Sequence, residues 1–157
     1  MKQIFVKALN SLMEVKENVI TELRSFIDGV CQTGELMEEH DSVEQELGVL
    51  AERLEKLIRE NARVAQDQTT YLNQENEIRA LYVEKQGHLA RLDEQIGERE
   101  SKRKTLETMI QVVCGINEEQ VEFDEELWGG LLDHIVVKED GTVVVVFKGG
   151  IKIGVGG

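Results

Sequence analysis

The residues of this chain that could act chemically are few and scattered: three histidines, His40, His88 and His134, and two cysteines, Cys31 and Cys114. Structural zinc needs thiolate and imidazole ligands at short, paired spacings. Neither cysteine has a His or Cys partner at such a spacing, so both read as reduced thiols rather than a zinc site or a disulfide framework. Nucleophilic catalysis needs a Ser or Cys within reach of a base, and phosphate binding a glycine-rich turn before a helix. No Ser-His-Asp, Cys-His or glycine-loop pattern occurs. His40 and His88 fall in segments of helical periodicity, as surface or seam positions, and His134 opens a β-rich run. With 31 Asp and Glu residues, the adjacency of two carboxylates says nothing about acid–base work. The chain reads as noncatalytic, with no catalytic, cofactor-binding or metal residue assigned and no cofactor expected.

Against those 31 acids stand 18 Lys and Arg in 157 residues, a net charge of −13. Binding nucleic acid by counterion release needs clustered cations. The one dense run, Arg99, Lys102, Arg103 and Lys104, is interleaved with Glu98 and Glu100, and its bland reading is a solvated helix face with local salt bridges. The charge is uneven: residues 1–34 hold four acids and four bases, 35–67 ten and four, and 115–157 nine and three. A basic partner surface fits the two acidic regions, as does simple solubility. No apolar stretch approaches the roughly twenty residues of a membrane span, and the N-terminus lacks a signal-peptide core. A soluble, cytoplasmic protein is expected.

The elements that position these residues are mainly helical. Val43, Leu47, Leu50, Leu54, Leu57, Asn61 and Val64 keep an unbroken 4-3 spacing, one seam of a coiled coil. A second seam runs through Ile78, Tyr82, Lys85, Leu89, Leu92, Ile96, Arg99, Arg103, Leu106, Ile110 and Val113. Joined by a few polar residues, the two predict a long antiparallel coiled-coil hairpin. Thirty helical residues reach about 45 Å, more than a compact domain of this mass requires, so a projecting interaction arm is expected. Its turn falls at Ala65-Gln66-Asp67-Gln68-Thr69-Thr70, where the threonines lower helix propensity; a continuous helix over 35–113 is the alternative. Asn61 either sets register or sits near the wet end.

Before the arm, Phe5, Ala8, Leu12, Val15, Val19, Leu23 and Phe26 mark one N-terminal helix over Lys2–Asp28, followed by a connection between Gly29 and Gly34. Acids at Glu35, Glu38, Glu39 and Asp41 suit the start of the next helix. The third helix, from about Tyr71 to Val113, outlasts the second, and its last turns are expected to pack on the first helix through Phe5, Leu12, Val19, Leu106 and Ile110. After Gly115 the sequence predicts a short helix capped by Asp124, with Phe123 stapled to Trp128. Two Val-rich strands then flank the turn Glu139-Asp140-Gly141. Ile151 and Ile153 could add a third strand, and Gly154-Val-Gly-Gly reads as frayed. The domains are thus 1–34 (helix and connection), 35–114 (coiled-coil arm) and 115–157 (short helix plus β-hairpin).

The segments Glu52-Arg-Leu-Glu-Lys-Leu-Ile-Arg-Glu-Asn-Ala-Arg-Val-Ala-Gln-Asp-Gln-Thr-Thr-Tyr71 and Glu122-Phe-Asp-Glu-Glu-Leu-Trp128, the latter leading to Val-Val-Lys-Glu-Asp-Gly-Thr-Val-Val-Val-Val-Phe-Lys148, resemble the C-terminal part of large serine recombinases of the resolvase/invertase superfamily. The resemblance covers nearly the whole chain, in two patterns in the right order. It implies that residues 35–113 are the coiled-coil arm inserted in the family's zinc-ribbon domain, and 123–148 the returning half of that domain. It also implies an arm tip at Ala65, Gln66, Asp67, Gln68 and Tyr71 that pairs with like arms of other subunits in synapsis, under control of a directionality factor. The family's catalytic serine, supporting arginines and zinc cysteines would all lie upstream of Met1, so by this resemblance the chain neither cuts DNA nor binds zinc, and meets DNA only through missing domains. The tail Lys148-Gly-Gly-Ile-Lys-Ile departs from the family's usual turn. A structural coiled coil and an acidic regulator of a basic protein are the other readings.

Overall fold

Side chains spaced at helical period fill most of the chain, and the computed structural model, which describes residues 1–64, 66–117 and 122–156, builds from them five helices and three strands. In order these are α1 (Lys2–Glu14), α2 (Lys16–Val30), α3 (Gly34–Arg63), α4 (Gln68–Gly115), α5 (Glu125–Leu131), β1 (Leu132–Val137), β2 (Val143–Phe147) and β3 (Lys152–Val155). The architecture is mainly α with one small antiparallel sheet. The chain divides into two units, Met1–Gln32 with Arg99–Gly157, and Thr33–Glu98. This replaces the expected three-part division: residues on both sides of the hairpin share one core, because neither the N-terminal helices nor the sheet can cover its apolar face alone.

In the first unit the core joins Phe5, Leu9 and Leu12 of α1 with Ile20, Leu23 and Ile27 of α2, Leu106, Met109 and Val113 of α4, and Leu131, Val145 and Phe147. The expected packing of the first helix on the last turns of α4 is present, with the sheet added to it. Phe5 is the hub. Its ring meets Trp128 at 5.0 Å between centroids, Phe147 at 6.1 Å and Phe123 at 6.4 Å. The Phe123–Trp128 staple forms at 5.6 Å, and Asp124 caps α5 by accepting from the amides of Glu126 at 2.7 Å and Leu127 at 2.9 Å.

The N-terminal helix differs from its expected single span. It breaks at Val15, whose backbone leaves the helical region (φ −114°, ψ 17°). Val15 and Phe26, placed in the buried stripe by spacing, are exposed; Leu9, Ile20 and Ile27 are buried instead. The Phe26 ring instead takes the Lys102 ammonium at 4.8 Å from its centroid.

The sheet has the order β1-β2-β3, antiparallel throughout, so Ile153 does belong to a third strand. Gly154 and Val155 pair with Val144 and Val143, which corrects the expectation of a frayed end there. At the β1–β2 turn the Asp140 carboxylate accepts from the Thr142 amide at 2.9 Å, and Gly141 takes φ 81°. The β2–β3 turn packs against the core. Gly149 there has φ 92°, and a Cβ at that position would lie 2.7 Å from Leu106 Cδ2, so both conformation and space require glycine.

The second unit is an antiparallel pair formed by α3 and the part of α4 up to Glu98. Residues 39 and 40 pair with 88 and 93, 46 with 85 and 61 with 68, so over the length of the pair the advance along α3 is a retreat along α4. The break lies between Arg63 and Gln68, which excludes the continuous helix, and α4 begins earlier than the expected Tyr71.

Candidate interaction surface

The seam residues singled out from spacing in the second unit, Val64 apart, are withdrawn from solvent to some degree. Val43, Leu47, Ile78 and Leu92 are buried, and Leu50, Leu54, Leu57, Asn61, Leu89 and Ile96 are half-buried. Val43, Leu47 and Leu92 form a small cluster with Leu36, Tyr82 and Leu89 against it. Two helices cannot enclose a seam as a larger bundle does, and the flanks of this one stay open.

At 100° per residue, positions on α3 either side of the seam look out in opposite directions. One flank is a groove lined by Ala51, Leu54 and Ile58 of α3 and Tyr82 and Val83 of α4, rimmed by Glu55 and Arg79. The other is lined by Ser42, Gln45, Glu46, Val49, Leu50, Leu81 and Lys85, and becomes charged toward the turn, with Arg53, Lys56, Glu60 and Glu77. Neither groove places a nucleophile in hydrogen bond with a base. Their apolar side chains are open to solvent: Val83 is 66% exposed, Val49 62% and Ile58 43%.

Polar pairs staple the two helices beside the seam. Lys85 pairs with Glu46, which holds the ammonium above its ordinary value of 10.5. His88 Nε2 lies 3.1 Å from Glu39, and His40 Nε2 3.1 Å from Asp93. Within α4, Arg79 draws the Glu75 carboxyl below its ordinary value of 4.5.

The turn is built from the tip residues that the resemblance marked, apart from Ala65, which lies outside the described residues. Asp67 stands immediately before α4, and its carboxylate accepts from the Thr70 amide at 3.0 Å and the Thr70 hydroxyl at 2.7 Å. These bonds hold its carboxyl below the ordinary value of 3.8. Gln68 Nε2 donates to Asn61 Oδ1 at 3.2 Å and to the Gln66 carbonyl at 3.1 Å. Asn61 therefore joins the helices at the end of the seam, where the amide of Gln68 satisfies it. Partial burial, with a hydrogen bond to Glu75, holds the Tyr71 phenol above its ordinary value of 10.0.

Spacing missed the apolar part of this tip. Val64, placed in the seam by its 4-3 position, is the extended C-cap residue of α3 and 66% exposed; Leu72 is 51% exposed. The only sequence signal was that the apolar seam stops at Val64.

The basic run is largely taken up by the first unit. Arg103 Nη2 donates to the carbonyl of Cys31, the C-cap of α2, at 2.9 Å, and Arg99 donates to the Gln32 carbonyl just beyond it, so both guanidiniums stand at the end of α2 where the helix dipole favours positive charge. With Lys102 on Phe26, only Lys104 of the run stands without a described contact of this kind. Cys31 is buried and Cys114 exposed, both as free thiols. Among the described residues, no helix is long and apolar enough to cross a membrane. No protein-family model matches this chain, and neither curated proteins nor solved structures provide a match.

Proposed function

We propose that this chain is a noncatalytic C-terminal part of a serine site-specific DNA recombinase, acting in the cytoplasm, whose helical hairpin makes subunit–subunit contacts in synapsis and its directional control. The observation that carries the reading is the tip, where Asp67, Thr70, Gln68 and Asn61 hydrogen-bond to one another or to nearby backbone and Val64 and Leu72 stay exposed. Exposed apolar side chains beside hydrogen-bonded caps suit a contact that forms and releases, because capped residues lose little ordering entropy on docking. The order of hairpin, capped short helix and β-hairpin supports the same reading through the resemblance of Glu52–Tyr71 and Glu122–Lys148. The partners in this reading are like hairpins on other subunits and a directionality factor.

A second reading rests on charge. Residues 35–50 and 81–98 hold ten acids and two bases, whereas 51–80 is nearly balanced, so this half of the hairpin suits a basic protein partner. Sedimentation equilibrium at micromolar concentration separates the two readings. Weak self-association, lost in a Val64→Ser, Leu72→Ser double variant, is expected for a synapsis tip. A monomer at every concentration and at both low and high salt would refute self-pairing and leave the acidic face as the better account.

A further inference from the structure

We propose that His40, Asp41 and Glu44 bind one divalent transition cation of the zinc class, with Asp93 as the carboxylate behind the histidine. The argument begins with the imidazole. His40 Nε2 lies 3.1 Å from Asp93 Oδ1, and a carboxylate can only accept, so this nitrogen carries the proton. In the neutral ring, Nδ1 is then left with its lone pair outward. It faces Asp41 Oδ1 at 3.6 Å, too far for a hydrogen bond. Ligands held about 2.0–2.2 Å from a tetrahedral ion are roughly 3.4 Å apart, so a separation unsuited to a proton bridge suits a shared metal.

Glu44 completes the set from the next turn of α3, one helical repeat after His40. One ligand atom each from His40, Asp41 and Glu44 lie within 4.8 Å of one another. The imidazole is half-buried and the two carboxylates are exposed, so three candidate donors from a single helix lie near one another at the surface, and the ring is oriented by an acid on the other helix. That carboxylate–histidine arrangement fixes the tautomer and raises the basicity of the metal-bound nitrogen. The imidazole selects zinc-class ions over magnesium or calcium, which prefer all-oxygen sites. A surrounding excess of acids raises the local cation concentration. His88 provides an internal contrast: it pairs with Glu39 across the same two helices but is not part of such a convergence.

The site ties α3 to α4 through the ion, His40 and Asp93, so occupancy stiffens the acidic half of the hairpin. It is independent of the recombinase reading. The test is titration of the full chain with zinc chloride at pH 7.5, in a Cys114→Ser background that removes the exposed thiol, followed by calorimetry and by ¹⁵N shifts of the histidine rings. One ion per chain is expected, with the shift at His40 Nδ1 and the Nε2 proton retained. His40→Gln and Glu44→Gln should weaken binding at least tenfold, Asp93→Asn about 10- to 100-fold as for other supporting carboxylates, and His88→Gln less than twofold. Unchanged helical ellipticity of each variant in chelator shows that loss of binding is not loss of fold. Zinc binding indifferent to His40→Gln and Glu44→Gln, or no binding at millimolar zinc, would overturn the proposal.

Discussion

The two units solve the burial problem in opposite ways. In the first, Phe5, Leu9, Leu12, Leu106, Met109, Leu131, Val113, Val145 and Phe147 are each less than 2% exposed, and helices and sheet close over them. In the second, Val43, Leu47, Ile78 and Leu92 are the buried side chains among the described residues, while Val49, Ile58, Leu72, Leu81 and Val83 stay open. The first unit is held mainly by apolar burial. The second relies on a narrow seam, cross-helix polar pairs and a capped turn, and keeps apolar surface in reserve. A two-layer core needs no partner; an open seam gains from one.

Trp128, the sole tryptophan, makes this contrast measurable, because it packs on Phe5 and so reports the first unit, whereas ellipticity reports all helices. The largest effect is expected from Phe5→Ala. It removes the ring shared by three other aromatics and should cost about 3–5 kcal/mol, as for other buried phenylalanines. The Trp128 fluorescence transition in urea should move to much lower denaturant. A shift smaller than that of a surface substitution would mean that the aromatic cluster does not hold the first unit.

Leu92→Ala probes the other side of the comparison. It empties the Val43–Leu47–Leu92 cluster, but the neighbouring grooves let the site collapse, so the cost should be near the low end for leucine, about 2 kcal/mol. Amide exchange should quicken across Gly34–Arg63, while the Trp128 transition stays in place. Equal displacement of both signals would show that the two units unfold as one and that the contrast drawn here is not energetic.

The sequence carried the repeating features well and the singular ones poorly. Seam residues from Val43 to Asn61 and from Ile78 to Ile96 were legible because facing helices impose the 3.5-residue period on every contact. Asp124 and the Glu139-Asp140-Gly141 turn were legible because capping and turn chemistry are local. The seam pattern continued past Glu98 to Val113 although Leu106 and Val113 serve another core, since periodicity reveals a buried face but not what covers it. The break at Val15 was hidden for a similar reason: the buried positions of α1 and α2 stay nearly in phase across it. Arg99 and Arg103 looked like seam or surface cations because their carbonyl partners, Gln32 and Cys31, are far away in sequence. His40 and Asp93 meet only through the antiparallel register, so no local pattern could join them.

The smallest expected effect sharpens the comparison most, because both units use the same device at a turn. Asp67 before α4 and Asp140 between β1 and β2 each accept hydrogen bonds from a threonine, Thr70 and Thr142, and each carboxyl is held below its ordinary value of 3.8. The unfolded chain loses those bonds and returns to the ordinary value. The unfolded state therefore takes up protons first, and each cap contributes fully above about pH 5, less below 3.8, and nothing once pH has fallen through the depressed folded value. Asp67→Ala should destabilise the hairpin by a constant small amount from neutral pH to about pH 5, and the difference from the unaltered chain should vanish on further acidification. Asp140→Ala should show the same pH profile in the Trp128 signal. The Asp67 variant should instead show it in amide exchange next to the turn. A difference that persists undiminished at pH 2 would mean that the Asp67 carboxylate is not what closes the hairpin, and that Gln68 and Asn61 suffice.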